Sequence, residues 1–526
     1  MPVNLDPQLW PLLRLMLHVG FFLAAIYLLH RLLDLDAATE LRHLPRPKWS
    51  TRPAVILLAL AFTGILIHQA TWQLTGTSRP EFIAFMQLHD RRELNPAHRI
   101  ERGRILDRRG VVLAHTEVVG GEVRRRYPGG PAFAHVVGYT HPRYGTSGME
   151  AVATVQLNGG APRDLGDWRA LGRQLVIPDR GPRGRDLQLT LDAELQLRAH
   201  ALLAGRHGAI VVLRPHDGAI LALVSTPAFD PNQITPALFQ DDGARSALLN
   251  RATQGLYPPG SVFKILPATL ALEAGFEGTL DCPADGFTTS ARYRKIRDHE
   301  YYEAQKKGTT WRGHGRIDLP TALARSSNVF FAQLGVQQGH AALERLGARL
   351  RFNDQIVLHE SPHGRYAMQT GRLPRLEPAD RYGLAQLSIG QGRALVTPAH
   401  LALIGAAIAN GGRAVQPRLI ASEPPVALDV FMSTPVAARL STLLRGVVTR
   451  GTGRGIDDPR LPIAGKTGTA ENPHGPSHSW FVGFAPVERP THAIAVLVEH
   501  GGYGSATAAP IARDLLARAV ALDSAR

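Results

Sequence analysis

Tyr257-Pro258-Pro259-Gly260-Ser261-Val262-Phe263-Lys264 is the stretch on which the reading of this chain turns. Two prolines and a glycine stop the preceding chain, and the apolar run Val262–Ala274 that follows reads as a helix with Ser261 at its start. Serine in that place is commonly no more than an N-cap. Lys264, however, stands at i+3 on the same helix face, so its amine can reach the hydroxyl. A free hydroxyl is a poor nucleophile and needs a base within hydrogen-bond reach. The helix N-terminus also offers backbone N–H groups to a developing oxyanion.

Lysine usage points the same way. The chain carries 53 arginines and only 6 lysines, yet lysine is kept at 264 and again in Lys466-Thr467-Gly468-Thr469. Arginine supplies positive charge but cannot give up its proton, whereas a lysine can be tuned into a base. The second motif follows Ile463-Ala464-Gly465 and reads as a strand edge, where Gly468 lets a substrate backbone approach and the threonines supply hydroxyls. Two lysines close together disfavour double protonation and leave one amine neutral. Between them, Ser326-Ser327-Asn328 precedes the apolar Val329-Phe330-Phe331. Each motif alone reads as an ordinary cap, strand end or helix start.

Outward from these motifs, Gly208–Leu213 and Ala219–Ser225 form a predicted hairpin through Pro215-His216-Asp217-Gly218. Ser479–Phe484 and His492–Glu499 are two further strands, and Ala508–Leu522 is a closing helix. A mostly helical stretch, 262–450, lies between the outer strands. This pattern predicts an α/β (α+β) layered domain, an antiparallel sheet flanked by helices. Asp186–Leu191 reads as a strand, and Asp192 as the cap of a helix carrying Leu195 and Leu197. Residues 179–185 read as a linker. Before it, residues 76–182 are arginine- and glycine-rich, with Asp107-Arg108-Arg109-Gly110 as a turn ahead of the strand Val111–Ala114.

A length of 526 residues predicts two to four units. The net charge of +15 implies an acidic neighbour. Scattered arginines without a helix-turn-helix, zinc-finger or single-strand-binding pattern argue against nucleic acid. Cys282 is the only cysteine, so no intramolecular disulfide forms. Two apolar stretches, about 11–33 and 53–74, approach the roughly 20 residues that span a bilayer. Arg31, Arg42, Arg46, Lys48 and Arg52 lie between them, which places that loop in the cytoplasm and everything after residue 75 outside. A soluble buried hairpin is the competing reading of the two stretches.

Ser-x-x-Lys, Ser-x-Asn and Lys-Thr-Gly in this order are the motif set of penicillin-binding proteins and related β-lactamases. From about residue 100 onward the chain resembles a class B, monofunctional penicillin-binding protein, a D,D-transpeptidase of bacterial cell-wall synthesis. Arg102–Gly110 with Leu113-Ala114 is similar to the family's pedestal motif. Gly313-His314-Gly315, Ile389-Gly390-Gln391-Gly392 with Thr397-Pro398, Ala409-Asn410-Gly411-Gly412 and Trp480-Phe481 match further family patterns.

The resemblance implies a penicillin-binding transpeptidase domain over 183–526, a small, reduced β-rich pedestal or dimerisation-like domain over 76–182, and an N-terminal transmembrane hairpin over 1–75. It implies Ser261 as nucleophile and Lys264 as base, with the Ser261 and Thr469 N–H groups as oxyanion hole. Ser326, near Lys264 and Lys466, would relay a proton to the leaving D-alanine, Asn328 would hold the donor peptide, and Lys466, Thr467 and Thr469 would bind the substrate's terminal carboxylate, with Gly468 leaving room for the substrate backbone. Implied partners are peptidoglycan stem peptides, β-lactams, the inner membrane and a SEDS-type glycosyltransferase, with the catalytic domain periplasmic. No cofactor and no metal are expected. Cys282, Asp298, His299 and His314 are irregularly spaced for a zinc site and read as a packed thiol with hydrogen-bonded neighbours. The basic segment 285–312 reads as a solvated loop, or as a contact for acidic glycan or stem peptide. A β-lactam-hydrolysing or β-lactam-sensing protein and an idle scaffold are the alternatives.

Overall fold

The computed structural model describes residues 61–69, 101–119, 122–159, 184–240, 247–362, 364–472 and 475–524. Residues 1–82 and 83–526 form two compact units. In the first, residues 61–69 are helical with Phe62, Ile65 and Ile67 exposed. The remainder of the two stretches read as membrane spans lies outside the described residues, as does most of the linker. Among the described residues no helix is long and apolar enough to cross a membrane.

The second unit begins with a small sheet. Strand β1 (Ile105–Leu106) turns back through Asp107-Arg108-Arg109-Gly110 into β2 (Val112–Val119), which pairs with β3 (Glu122–Arg126). Asp107 makes this turn by accepting the N–H groups of Arg109 and Val111 on Oδ1. Strand β4 (Leu187–Gln188) adds to β1 in parallel, giving the order β3-β2-β1-β4. It is shorter than the expected 186–191 strand because Thr190 leaves the ladder to donate to the Leu419 carbonyl. Between β3 and β4 come a two-residue ladder, Thr140–His141 with Gly145–Thr146, and three short helices, Ala134–Val137, Gly148–Val152 and Thr154–Leu157. The anchor of this region is Glu150, fully buried and paired with Arg102 at 2.6 Å and Arg125 at 2.7 Å.

Asp192 then caps α1 (Ala193–Leu202) by accepting from Glu194 and Leu195, as its position implied. The chain continues through β5 (Gly208–Leu213) and β6 (Ile220–Thr226) into the helical stretch. That stretch contains α2 (Ile265–Glu273), α3 (His299–Lys306), α4 (Leu319–Arg325), α5 (Asn328–Gln338), α6 (Pro398–Ala409) and α7 (Thr434–Arg450). It returns through β7 (Ala464–Asn472), β8 (Gly475–Ala485) and β9 (His492–Val498) to α8 (Ala508–Ser524).

The five long strands form one antiparallel sheet in the order β7-β8-β9-β5-β6. The first hairpin thus completes a sheet built mostly from the last strands, with Ile210 opposite Val496. Helix α6 covers one face, and α1 and α8 cover the other. Burial on both faces explains why β5, β6 and β9 are continuous apolar runs rather than alternating ones. β7 is left as an edge, with Lys466-Thr467-Gly468-Thr469 along it.

Candidate active site

The turn before the nucleophile is pinned at three of its four residues. Tyr257 exchanges both backbone hydrogen bonds with Val396, the Trp480 indole donates to the Pro258 carbonyl at 3.0 Å, and the Gly260 N–H donates to Gly390 O at 3.0 Å. Gly260 has φ +54°, and a Cβ there would meet Thr469 O at 2.5 Å, so only glycine lets this turn press against β7.

Ser261 does not cap a helix. Gly260–Lys264 is a 3₁₀ turn that precedes α2, and no side chain caps it. The difference from the expected α-helix has a chemical consequence: with three residues per turn, side chains at i and i+3 eclipse. Lys264 Nζ accordingly lies 3.0 Å from Ser261 Oγ.

The fully buried Lys264 amine also donates to Ser326 O and to Asn328 Oδ1, both at 2.6 Å, and reaches Ser326 Oγ at 3.3 Å. Burial pushes its pKa down to about 7, against a smaller upward pull from Asp298 and Glu300. A neutral amine has two N–H groups and a lone pair. The two short bonds to oxygens that can only accept consume the N–H groups and leave the lone pair for the Ser261 hydroxyl. The site can therefore deprotonate a serine near neutral pH.

Ser326 occupies the left-handed region at φ +61°, ending α4, and Ser327 caps α5 by accepting from Phe330 N–H. That strained corner turns the Ser326 carbonyl onto Lys264 and sets its hydroxyl between two amines, since Lys466 Nζ lies 2.9 Å from Ser326 Oγ. Lys466 also donates to Thr467 O at 3.0 Å. Burial, and then the neighbouring Lys264, hold Lys466 well below the ordinary lysine range. The Asn328 amide is oriented by its Nδ2, which donates to Arg297 O at 3.0 Å and leaves Oδ1 for Lys264. Thr467 Oγ1 meets Thr452 Oγ1 at 2.6 Å, and Thr469 Oγ1 accepts from Gly504 N–H at 3.3 Å. Gly468 abuts Val262 and the Pro259 carbonyl. The three motifs are therefore one constellation: Ser261, Lys264, Ser326, Asn328 and Lys466 form a continuous hydrogen-bonded chain beside the edge of β7.

The sequence reading missed one organiser of this chain. Buried Asp298 accepts from Ser327 Oγ at 3.0 Å and Val329 N–H at 3.1 Å, clamping the start of α5. Its sequence context, Arg297-Asp298-His299, gives no local signal for a contact 29 residues away. The basic segment 285–312 is not a plain loop, because α3 forms within it. Of the four residues weighed as a metal group, Cys282 and His314 approach the same corner. Cys282 Sγ is 3.9 Å from Ser327 Oγ, and His314 Nε2 is 3.7 Å from Asp298 Oδ2. His299 instead faces Glu303 and the Tyr503 ring. Among the described residues no group of three or more His, Cys, Asp or Glu side chains is disposed to hold a metal ion.

An amine-activated serine joined through a second serine to a second lysine, at the edge of a helix-covered antiparallel sheet, defines a class of acyl-transfer centre. The chain belongs to the penicillin-binding transpeptidase family: residues 208–517 match the penicillin binding protein transpeptidase domain. Residues 102–171 match the penicillin binding protein A dimerisation domain.

More particularly, the chain is similar to the class B members. It is 32% identical over 449 residues to the peptidoglycan D,D-transpeptidase PbpA of Mycobacterium tuberculosis, covering 78% of this chain and 87% of that protein. It is 28% identical over 461 residues to the peptidoglycan D,D-transpeptidase MrdA of Escherichia coli, covering 74% and 70%. Among solved structures, the penicillin G acyl-enzyme complex of M. tuberculosis penicillin-binding protein A superposes with a TM-score of 0.68 at 30% identity, covering 80% of this chain and 100% of that one. Pseudomonas aeruginosa PBP2 does so with a TM-score of 0.64 at 31% identity, covering 79% and 95%.

Proposed function

We propose that this protein is a peptidoglycan D,D-transpeptidase that cross-links stem peptides through an acyl-serine intermediate and is inhibited by β-lactams. The observation that carries this reading is the fully buried Lys264 amine, 3.0 Å from Ser261 Oγ.

Ser261 Oγ attacks the carbonyl between the two terminal D-alanines of a donor stem as Lys264 takes its proton. The Ser261 and Thr469 N–H groups receive the oxyanion, each such donor commonly contributing about 10²–10³ in rate. Ser326, within reach of both lysines, passes a proton to the leaving D-alanine nitrogen as the C–N bond breaks. Asn328 holds the donor backbone. Lys466, Thr467 and Thr469 receive the terminal carboxylate, whose negative charge favours the protonated form of the buried Lys466 amine, and Gly468 leaves room for the approach. An amine from a neighbouring stem then attacks the acyl ester, forms the cross-link amide and returns the Ser261 hydroxyl. A β-lactam opens its ring onto Ser261, keeps its leaving nitrogen tethered and stays as the acyl-enzyme.

The exposed apolar side chains of residues 61–69 support an N-terminal membrane anchor, and the basic loop between the two apolar stretches favours a hairpin of two spans in residues 1–75 with the catalytic domain periplasmic at the inner membrane. The region 76–182 serves as pedestal, and a SEDS-type glycosyltransferase supplies the glycan strands. The test is release of D-alanine and formation of cross-linked dimer from nascent glycan polymerised by such a partner. Both products are expected from wild type and neither from Ser261→Ala. D-alanine release with hydrolysis alone would reassign the enzyme as a carboxypeptidase.

A further inference from the structure

Beside the turn that leads to the nucleophile lies a largely buried ionic group that the chemistry above does not use. Glu499, the residue after β9, accepts from Tyr257 Oη and from Arg251 Nε on the same oxygen, each at 2.7 Å. The side chains of Arg251 and Glu499 are 5% and 14% exposed. Glu499 is also fixed through its backbone, since its N–H donates to the carbonyl of His207, the residue before β5.

The Tyr257 ring lies over Gly255, where any Cβ would meet it at 2.5 Å, and stands edge-on to His478 and Trp480. A buried ion pair with a phenol stabilises a fold no better than a well-packed apolar trio, so holding it by three directional contacts favours a positional role. What it positions is readable along the chain. Tyr257 opens the turn whose Pro258 is held by Trp480, whose Gly260 is pressed on Thr469, and whose next residue is Ser261.

We propose that Glu499 is a positioning residue for acyl transfer: through the Tyr257 hydroxyl it fixes the Pro258–Gly260 turn, and so sets the Ser261 hydroxyl and its N–H against Lys264 and Thr469. This rests on the acyl-serine reading above. Glu499 touches neither the nucleophile nor its base. Its effect therefore falls on the chemical step, with recognition by the β7 edge left intact.

The test is stopped-flow acylation of the full-length, detergent-solubilised protein by a fluorescent penicillin, resolved into pre-acylation binding and the acylation rate constant. Tyr257→Phe keeps the ring and removes only the hydroxyl, and Glu499→Gln keeps the shape and removes the charge. Each is expected to lower the acylation constant roughly tenfold with binding unchanged, because sub-ångström misplacement at a reacting centre is costly. The double variant is expected to fall no further than the worse single one. Wild-type acylation constants in both variants, with only the labelled fraction or the melting temperature reduced, would overturn the inference and leave the transpeptidase reading intact. No label on wild type would overturn that reading and this inference together.

Discussion

Acylation should follow the titration of Lys264. The amine is fully buried and its pKa is pushed down to about 7 by that burial, against the ordinary 10.5. Only the neutral form can accept the Ser261 proton, so the acylation rate tracks its population. About 9% of the amine is neutral at pH 6, about 50% at pH 7 and about 91% at pH 8, so the rate climbs about tenfold over those two units and then levels. Stopped-flow acylation by a penicillin, whose own carboxylate stays ionised throughout, reads this out directly. A rate that kept rising tenfold per unit beyond pH 9 would show an amine of ordinary basicity and would refute the burial argument.

Folding stability carries the same signature. Lys264 is depressed in the folded protein, so between about pH 7 and 10 the unfolded chain binds more protons, and stability rises with pH by up to about 1.4 kcal/mol per unit. Lys264→Met should abolish acylation and reduce the slope of this part of the urea-denaturation pH profile, leaving the contribution of the likewise depressed Lys466; an unchanged slope would count against a buried neutral amine. Gly260→Ala forces a left-handed backbone at a cost of about 1–3 kcal/mol and drives a methyl into Thr469 O, so acylation should fall at least about 100-fold. Unchanged labelling would show that the turn can move away from β7. Asp298→Asn removes a negative charge that lifts the Lys264 pKa and loosens the clamp on Ser327 and Val329. The inflection in the pH–rate profile should move below that of wild type, with about 1–3 kcal/mol lost in denaturant unfolding; an upward move would reverse the sign assigned to this contact.

Much of the sheet was legible because its strands are apolar on both faces. Gly208–Leu213 lies where the run of β-branched residues places it, and the strands from Ser479 and His492 differ by a few residues at their ends. The site motifs were legible because the chemistry restricts residue type, lysine against a background of arginine above all. Local pattern could not show that Ser261 sits in a 3₁₀ turn, because the same apolar residues satisfy either helix and the choice is made by Gly260 packing on Thr469 and Gly390. Nor could it show Asp298 clamping Ser327 or Glu499 holding Tyr257, contacts that join residues 29 and 242 positions apart. Helix α3 was read as loop because a short, charged segment carries little periodic signal until Tyr503 and the start of α5 pack around it.

The central claim is that Ser261 forms a long-lived acyl-enzyme. Full-length protein in membranes, labelled with a fluorescent penicillin beside Ser261→Ala and chased for hours with unlabelled drug, tests it most directly. The expected result is a band in wild type that persists through the chase and is absent from the variant. Label that disappears within minutes would mean hydrolysis rather than trapped acyl transfer, and label retained on Ser261→Ala would place the nucleophile elsewhere.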